Sequence, residues 1–201
     1  MPGTKVAFDP LRSVSSQYAH VSPVILVTTV NADGSLNVAP KTQNTPVGKE
    51  GRIFMFVCTP IHHTYQNIKR TGEFVVNYPT PELIEKVAAA ASVFEDRADE
   101  IVGSGLTATS SVKVRPPRIK ECQIHLECEL VEIREYGPYG LVVGKVVAAS
   151  GNEEVVLAAD TNTVEFSRRL AQNPLLAYVY PNHFTAVNEC RRFVFPQKYK
   201  P

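Results

Sequence analysis

The chain has 201 residues, 44% hydrophobic and 20% charged, with 21 Lys and Arg against 20 Asp and Glu for a net charge of +1. That size and balance suit one domain that buries its own core. They offer no basic surface for nucleic acid, and no apolar run approaches the roughly 20 residues of a membrane helix. The opening MPGTKVAFDP has no apolar signal core. None of Cys58, Cys122, Cys128 and Cys190 forms a C-x-x-C pair, so they read as reduced, buried thiols of a cytoplasmic protein. Cys122 and Cys128 have equal parity on one expected strand and would share a face, too far apart to bridge.

The first 20 residues read as an irregular arm. A strand follows from Val21 to Val30, and Asp33-Gly34 is a strong hairpin turn. The returning strand opens with Asn37 and closes on Ala39-Pro40, before a polar loop of Lys41, Thr42, Gln43 and Asn44. Arg52 to Cys58 is an apolar strand. Thr59, His62, His63 and Thr64 then crowd the start of a short helix from His62 to Arg70, with Gly72 as its stop. Helix starts leave N–H groups unpaired and carry partial positive charge. Two such polar clusters beside a small barrel point to a phosphorylated cofactor.

Glu73 to Asn77 returns as a strand. Thr80-Pro81 caps an Ala-rich helix, ELIEKVAAAASVF, followed by a second helix or loop, EDRADEIVGSG. Thr107 to Lys120 is an extended connection. From Gln123 to Tyr136 comes a long strand. Ile124, Leu126, Cys128 and Leu130 alternate there with His125, Glu127 and Glu129, and the phase slips at a bulge near Val131 to Ile133. Gly137-Pro138 turns into a partner strand from Leu141 to Ala149, and Gly151-Asn152 turns into Glu154 to Ala158. Asn162 to Ala171 reads as a short helix, Leu175 to Tyr180 and Arg191 to Phe195 as apolar pieces, and His183-Phe184 as part of a polar loop. Tight turns between neighbours imply antiparallel pairing, and about six or seven such strands commonly close into a barrel. The fold class is mainly β with helices inserted mid-chain.

Several residues keep alternative readings. Thr64 is a phosphate ligand or a helix cap. Asn67 ties the helix to a neighbouring strand. His62 and His63 contact a phosphate, sit in solvent, or bind metal; adjacent histidines diverge and no H-E-x-x-H is present. Lys41 is a solvent-facing charge or a cation beside the cofactor. Asp99-Glu100 could do acid/base work, or is a solvated or charge-paired couple on a surface helix. Gly103-Ser104-Gly105 lacks the G-x-S-x-G spacing and reads as a loop.

Five segments, LVTTVNADGSLNVAP, HTYQNIKRTGEFVVN, ADEIVGSGLT, IHLECELVEI and LVVGKVVA, stand in the order and spacing of one family. Through them the chain resembles the flavin reductase-like family, closest to its flavoredoxin-type branch, over about two thirds of its length. The resemblance implies an FMN-binding split β-barrel, an antiparallel, Greek-key-like barrel. It makes residues 1–201 one domain, with 1–20 an arm and 160–201 a less well matched extension. It implies FMN held between the subunits of a homodimer, with NAD(P)H as co-substrate. Electrons would pass to a second acceptor, or reduced flavin would pass to a partner monooxygenase.

On the same basis Asn37, Ala39, Pro40, Lys41, Thr42, Gln43 and Asn44 would wrap the flavin ring and ribityl chain. Thr59, His62, His63 and Thr64 would hold the phosphate. No side chain is assigned as acid, base or nucleophile, because the flavin supplies the chemistry. No G-x-G-x-x-G follows a strand, so a nicotinamide would stack directly on the flavin. The chain departs from the family pattern at Lys41-Thr42, where an aromatic residue and Ser are frequent. It departs again at His62-His63, where Lys-Asp is frequent and histidine is mostly neutral at pH 7. The alternative is a flavin- or ligand-binding module of the same fold without turnover.

Overall fold

The computed structural model describes residues 3–48, 50–92, 99–157 and 162–193. The stretch that reads as one strand is two, β1 (His20–Pro23) and β2 (Ile25–Val30), in different sheets. The break falls at Pro23, which has no N–H to carry a ladder onward. The Asp33-Gly34 turn forms as expected, with Asn31 N donating to Ser35 O at 2.9 Å, and leads into β3 (Leu36–Lys41). Only Thr42 and Gln43 separate β3 from β4 (Asn44–Val47), so Asn44 begins a strand instead of ending a loop. Strand β5 (Ile53–Cys58), helix α1 (His63–Thr71) and strand β6 (Glu73–Tyr78) follow. Gly72 stops α1 in the left-handed region at φ 71°, its N–H donating to Ile68 O at 2.8 Å.

The Ala-rich helix is shorter than its sequence suggests. Pro81–Leu83 forms a 3-10 turn and α2 (Ile84–Ala89) ends early; the expected continuation at 93–98 lies outside the described residues. Helix α3 (Glu100–Gly103) is capped by Asp99, whose carboxylate accepts from Ile101 N and Val102 N at 3.1 Å. Within the expected extended connection, β7 (Ala108–Thr109) and β8 (Arg118–Ile119) pair briefly. The long hairpin of β9 (Ile124–Tyr136) and β10 (Tyr139–Gly151) carries the expected bulge: Val143 faces Glu132, Gly144 faces Leu130, and Val131 is the extra residue.

Helix α4 (Thr163–Gln172) is capped by Asn162, which accepts from Glu165 N at 3.0 Å. Strand β11 (Leu175–Tyr180) turns at 181–182 into β12 (His183–Val187). His183 and Phe184 therefore lie on a strand and not in a loop. Residues 191–193 carry no regular structure, and 158–161 and 194–201 lie outside the described residues.

All pairs are antiparallel. Seven strands form one sheet in the order β3-β2-β6-β9-β10-β5-β4, and β1-β11-β12 form a second. The large sheet must curl. Strands β3 and β4 are its opposite edges, and in a flat sheet six spacings of ~4.8 Å would hold them roughly 29 Å apart. The two residues between them let Lys41 and Asn44 separate by at most about 11 Å. The sheet therefore rolls into an open barrel with a seam at Thr42-Gln43; Val57 N donates to Gln43 O at 2.9 Å and extends the β4–β5 ladder to the seam's edge.

Two cores result. Ile25, Val27, Phe54, Phe56, Phe74, Val76, Cys128 and Val142 fill the barrel, and α1 plugs one end with Tyr65 and Ile68. Val24, Leu26 and Val38 pack outside it against α2, α3 and β11 through Val87, Ile101 and Leu176. Strand β2 is thus covered on both faces. Cys122 precedes β9 and belongs to the outer core while Cys128 belongs to the inner one, so they do not share a face. Cys190 is exposed, unlike the other three.

The polar side of β9 is covered as well. His125 and Glu127 lie beneath the segment 107–120, where Glu127 accepts from Val112 N at 2.9 Å and Lys113 N at 2.6 Å. A carboxylate buried there needs such donors. No helix among the described residues is long and apolar enough to cross a membrane.

Candidate functional site

The site grows from the edge strand β3. Asn37 is 3% exposed and makes three side-chain bonds. Its Oδ1 accepts from Thr29 Oγ1 at 2.9 Å and Thr64 Oγ1 at 3.0 Å, and its Nδ2 donates to Glu100 Oε2 at 2.6 Å. The same Glu100 oxygen accepts from Val38 N at 3.1 Å, an edge-strand N–H turned away from β2. Asn67 joins this chain by donating to Thr29 Oγ1 at 3.0 Å and Asn31 Oδ1 at 2.7 Å, which ties α1 to β2 as expected. Asn37 thus locks β2, β3, α1 and α3 together.

That lock sets the start of α1 against the end of β3. His62 occupies the cap position with no side-chain cap bond, so Thr64 is the second helical residue and not the cap. Tyr65 N and Gln66 N both donate to His62 O. The N–H groups of His63 and Thr64 find no partner among the described residues. A cleft of about 440 Å³ opens in front of them, within the range of small-molecule sites. Asn37, Ala39, Pro40 and Lys41 form one wall, His62, His63 and Thr64 a second, and Glu100 with Ala90 to Ser92 the third. A second cavity of about 180 Å³ lies along the seam between Lys41, Thr42, Gln43, Cys58, Thr59, His62 and Tyr139. Pro40, Lys41 and His62 line both.

Among the described residues lining either cavity, Lys41 is the sole Lys or Arg and Glu100 the sole Asp or Glu. Burial lowers the Lys41 amine from its ordinary value, against the pull of Cys58 and Glu100. Burial also raises the Cys58 thiol, opposed first by Lys41. His62 is lowered by burial, then by the charges of Lys41 and His63. His63 is about half exposed, with Nδ1 3.6 Å from Glu100 Oε1. The surroundings thus favour an uncharged His62, and Lys41 is the one Lys or Arg among the described residues that both cavities share.

A family model described as a flavin reductase like domain matches residues 17–176. The chain belongs to the flavin reductase-like family. A relative from Methanothermobacter thermautotrophicus is 32% identical over 178 residues, covering 85% of this chain and 82% of its own. Among solved structures, nitrilotriacetate monooxygenase component B from Bacillus cereus superposes with a TM-score of 0.81 at 18% identity, over 96% of this chain and all of that one. Flavoredoxin from Methanosarcina acetivorans does so with 0.75 at 20% identity, over 97% of each. These two share the split-barrel fold with this flavin reductase-like chain. Family membership sets the coarse functional class, a flavin oxidoreductase.

The structure gathers the expected site residues of this flavin reductase-like protein around the two cavities, except Asn44. Asn44 lines neither; its Nδ2 instead donates to Pro23 O at 2.9 Å and Lys41 O at 3.2 Å. Thr64 is 1% exposed and its hydroxyl is committed to Asn37, which leaves the backbone N–H as its unpaired donor among the described residues. Glu100 is the main residue that sequence reasoning missed. It reads as part of a solvated or charge-paired couple on a surface helix, yet it is 9% exposed and bonded 63 residues back along the chain. The one local signal is the Asp99 cap, which fixes a helix start but not where the next side chain points. Cys58 and Tyr139 also line the seam without any motif to mark them.

Proposed function

We propose that this protein is an FMN-dependent oxidoreductase that holds FMN across the cleft and the seam. The phosphate would lie against the start of α1, with the His63 and Thr64 N–H groups, His62 and Lys41 as its donors. The ring and ribityl chain would follow Ala39, Pro40, Lys41, Thr42 and Gln43, with Thr59 on the facing side. The observation that carries this reading is the meeting of an unpaired helix start and a single cation in one cleft of a flavin reductase-like chain. Bound flavin would supply the redox chemistry, accepting a hydride from NAD(P)H. The protein's share is position and charge. Lys41 at the junction of the two cavities favours an anionic ring, and the open seam leaves a ring face for the nicotinamide. Electrons then go to a second acceptor, or reduced flavin goes to a partner monooxygenase.

The reading includes a homodimer whose subunits meet over the flavin, working in the cytoplasm. Its test is the visible spectrum after adding FMN and desalting, followed by NADH and NADPH oxidation with free flavin. A retained flavin spectrum with steady turnover is expected. A protein that stays colourless and oxidises neither nucleotide in the presence of FMN would overturn it.

A further inference from the structure

We propose that Glu100 is a specificity-determining residue, an internal negative charge that limits how strongly the cleft prefers phosphorylated flavin over riboflavin. The inference rests on the flavin site proposed above. Glu100 lines the cleft that holds the unpaired start of α1, and its Oε1 stands 3.6 Å from His63 Nδ1. It cannot swing aside when an anion enters. Its Oε2 is pinned by Asn37 Nδ2 at 2.6 Å and Val38 N at 3.1 Å, and the residue is 9% exposed.

Among the described lining residues Lys41 is the only Lys or Arg and Glu100 the only Asp or Glu. Among these residues one amine and one carboxylate thus offset each other. An entering phosphate therefore gains the partial charge of the helix start and the Lys41 amine, while meeting a fixed carboxylate in a poorly screened space. Riboflavin, which ends in a hydroxyl, gains less from Lys41 and loses nothing to Glu100. The two flavins should then bind more alike than a cleft with uncompensated cations would allow.

Glu100→Gln separates charge from shape. Its amide oxygen can take the place of Oε2 and accept from both Asn37 Nδ2 and Val38 N, and its NH2 can face His63 Nδ1 as a donor. The experiment is quenching of FMN and riboflavin fluorescence by the wild-type protein and by Glu100→Gln at pH 8. The wild type is expected to bind FMN no more than about tenfold more tightly than riboflavin. In the variant FMN affinity should rise about tenfold or more, or about 1.4 kcal/mol, with riboflavin affinity unchanged. Glu100→Asp, which keeps the charge, should show no such gain.

Equal gains for both flavins, or no gain for FMN, would overturn the assignment. So would a wild-type preference for FMN of a hundredfold or more, a result that does not depend on the variant folding. Failure of the wild type to bind either flavin is a different outcome, because it removes the flavin site itself along with this role for Glu100.

Discussion

Thr64 Oγ1 lies 3.0 Å from Asn37 Oδ1, and neither side chain reaches solvent. The hydroxyl that resembles a phosphate ligand in sequence is spent on holding α1 to β3. Thr64→Val keeps the volume and removes the donor, leaving Asn37 Oδ1 with Thr29 alone. A loss of about 1 kcal/mol in urea unfolding is expected, with FMN affinity changed less than threefold. Asn37→Ala should cost about 3 kcal/mol or more, since Thr29, Thr64 and the buried Glu100 carboxylate all lose a partner.

Lys41 should govern cofactor affinity more than Thr64 does. Lys41→Met removes the one Lys or Arg among the described residues lining both cavities. FMN binding is expected to weaken at least tenfold, about 1.4 kcal/mol. The retained complex should have a lower flavin midpoint potential, because the reduced anion loses its counter-charge. Spectroelectrochemical titration of wild type and variant checks the potential, and fluorescence titration the affinity.

His125 should make the fold acid-sensitive in a defined window. Burial, followed by the charge of Arg118, lowers its pKa to about 4, while Glu127 pulls the other way; Asn77 Oδ1 stands 3.0 Å from its Nδ1. The folded state therefore takes up this proton later than the unfolded state, whose histidine titrates near 6.5. The stability is fully present above about pH 6.5, declines as the pH falls toward 4, and declines no further from this group below that. Melting temperatures from pH 7.5 to 4 should show this slope, and His125→Gln should flatten it.

Gly144 faces Phe74 across the barrel wall. A Cβ placed there would stand 2.4 Å from the ring, so Gly144→Ala should cost about 1–3 kcal/mol through overpacking. Phe74→Leu makes room at its own cost. The double variant should be less destabilised than the sum of the two singles, which chemical denaturation of all four proteins measures.

Much of the architecture was legible because its signals are local. Asp33-Gly34, Gly72, Asn162 and the phase slip at Val131 each act within a few residues, and each stands where the sequence put it. The grouping of Lys41 with His62 and His63 was readable only through family resemblance, since nothing in either segment states that they meet. What escaped notice depends on distant partners. Period-two alternation in β9 marks one polar face with His125 and Glu127 on it, but not that 107–120 folds over that face. Glu100 is buried by contacts to a strand more than 60 residues earlier. Helix α2 gives up its last alanines where Ala90 packs against the outer core, which propensity alone does not register.

The two-residue span at Thr42-Gln43 has a bearing on how this protein can change over generations. Surface loops ordinarily absorb insertions at small cost, and binding sites are often retuned by altering their length. This connection has no such freedom. It is at once the tether that draws the sheet's edges together and the floor of the seam cavity, so added residues would loosen the barrel and erase the proposed flavin surface in one step. Variation at this end of the molecule is confined to exchanging side chains at fixed spacing, and position 41 is where such an exchange alters charge without altering the chain's path.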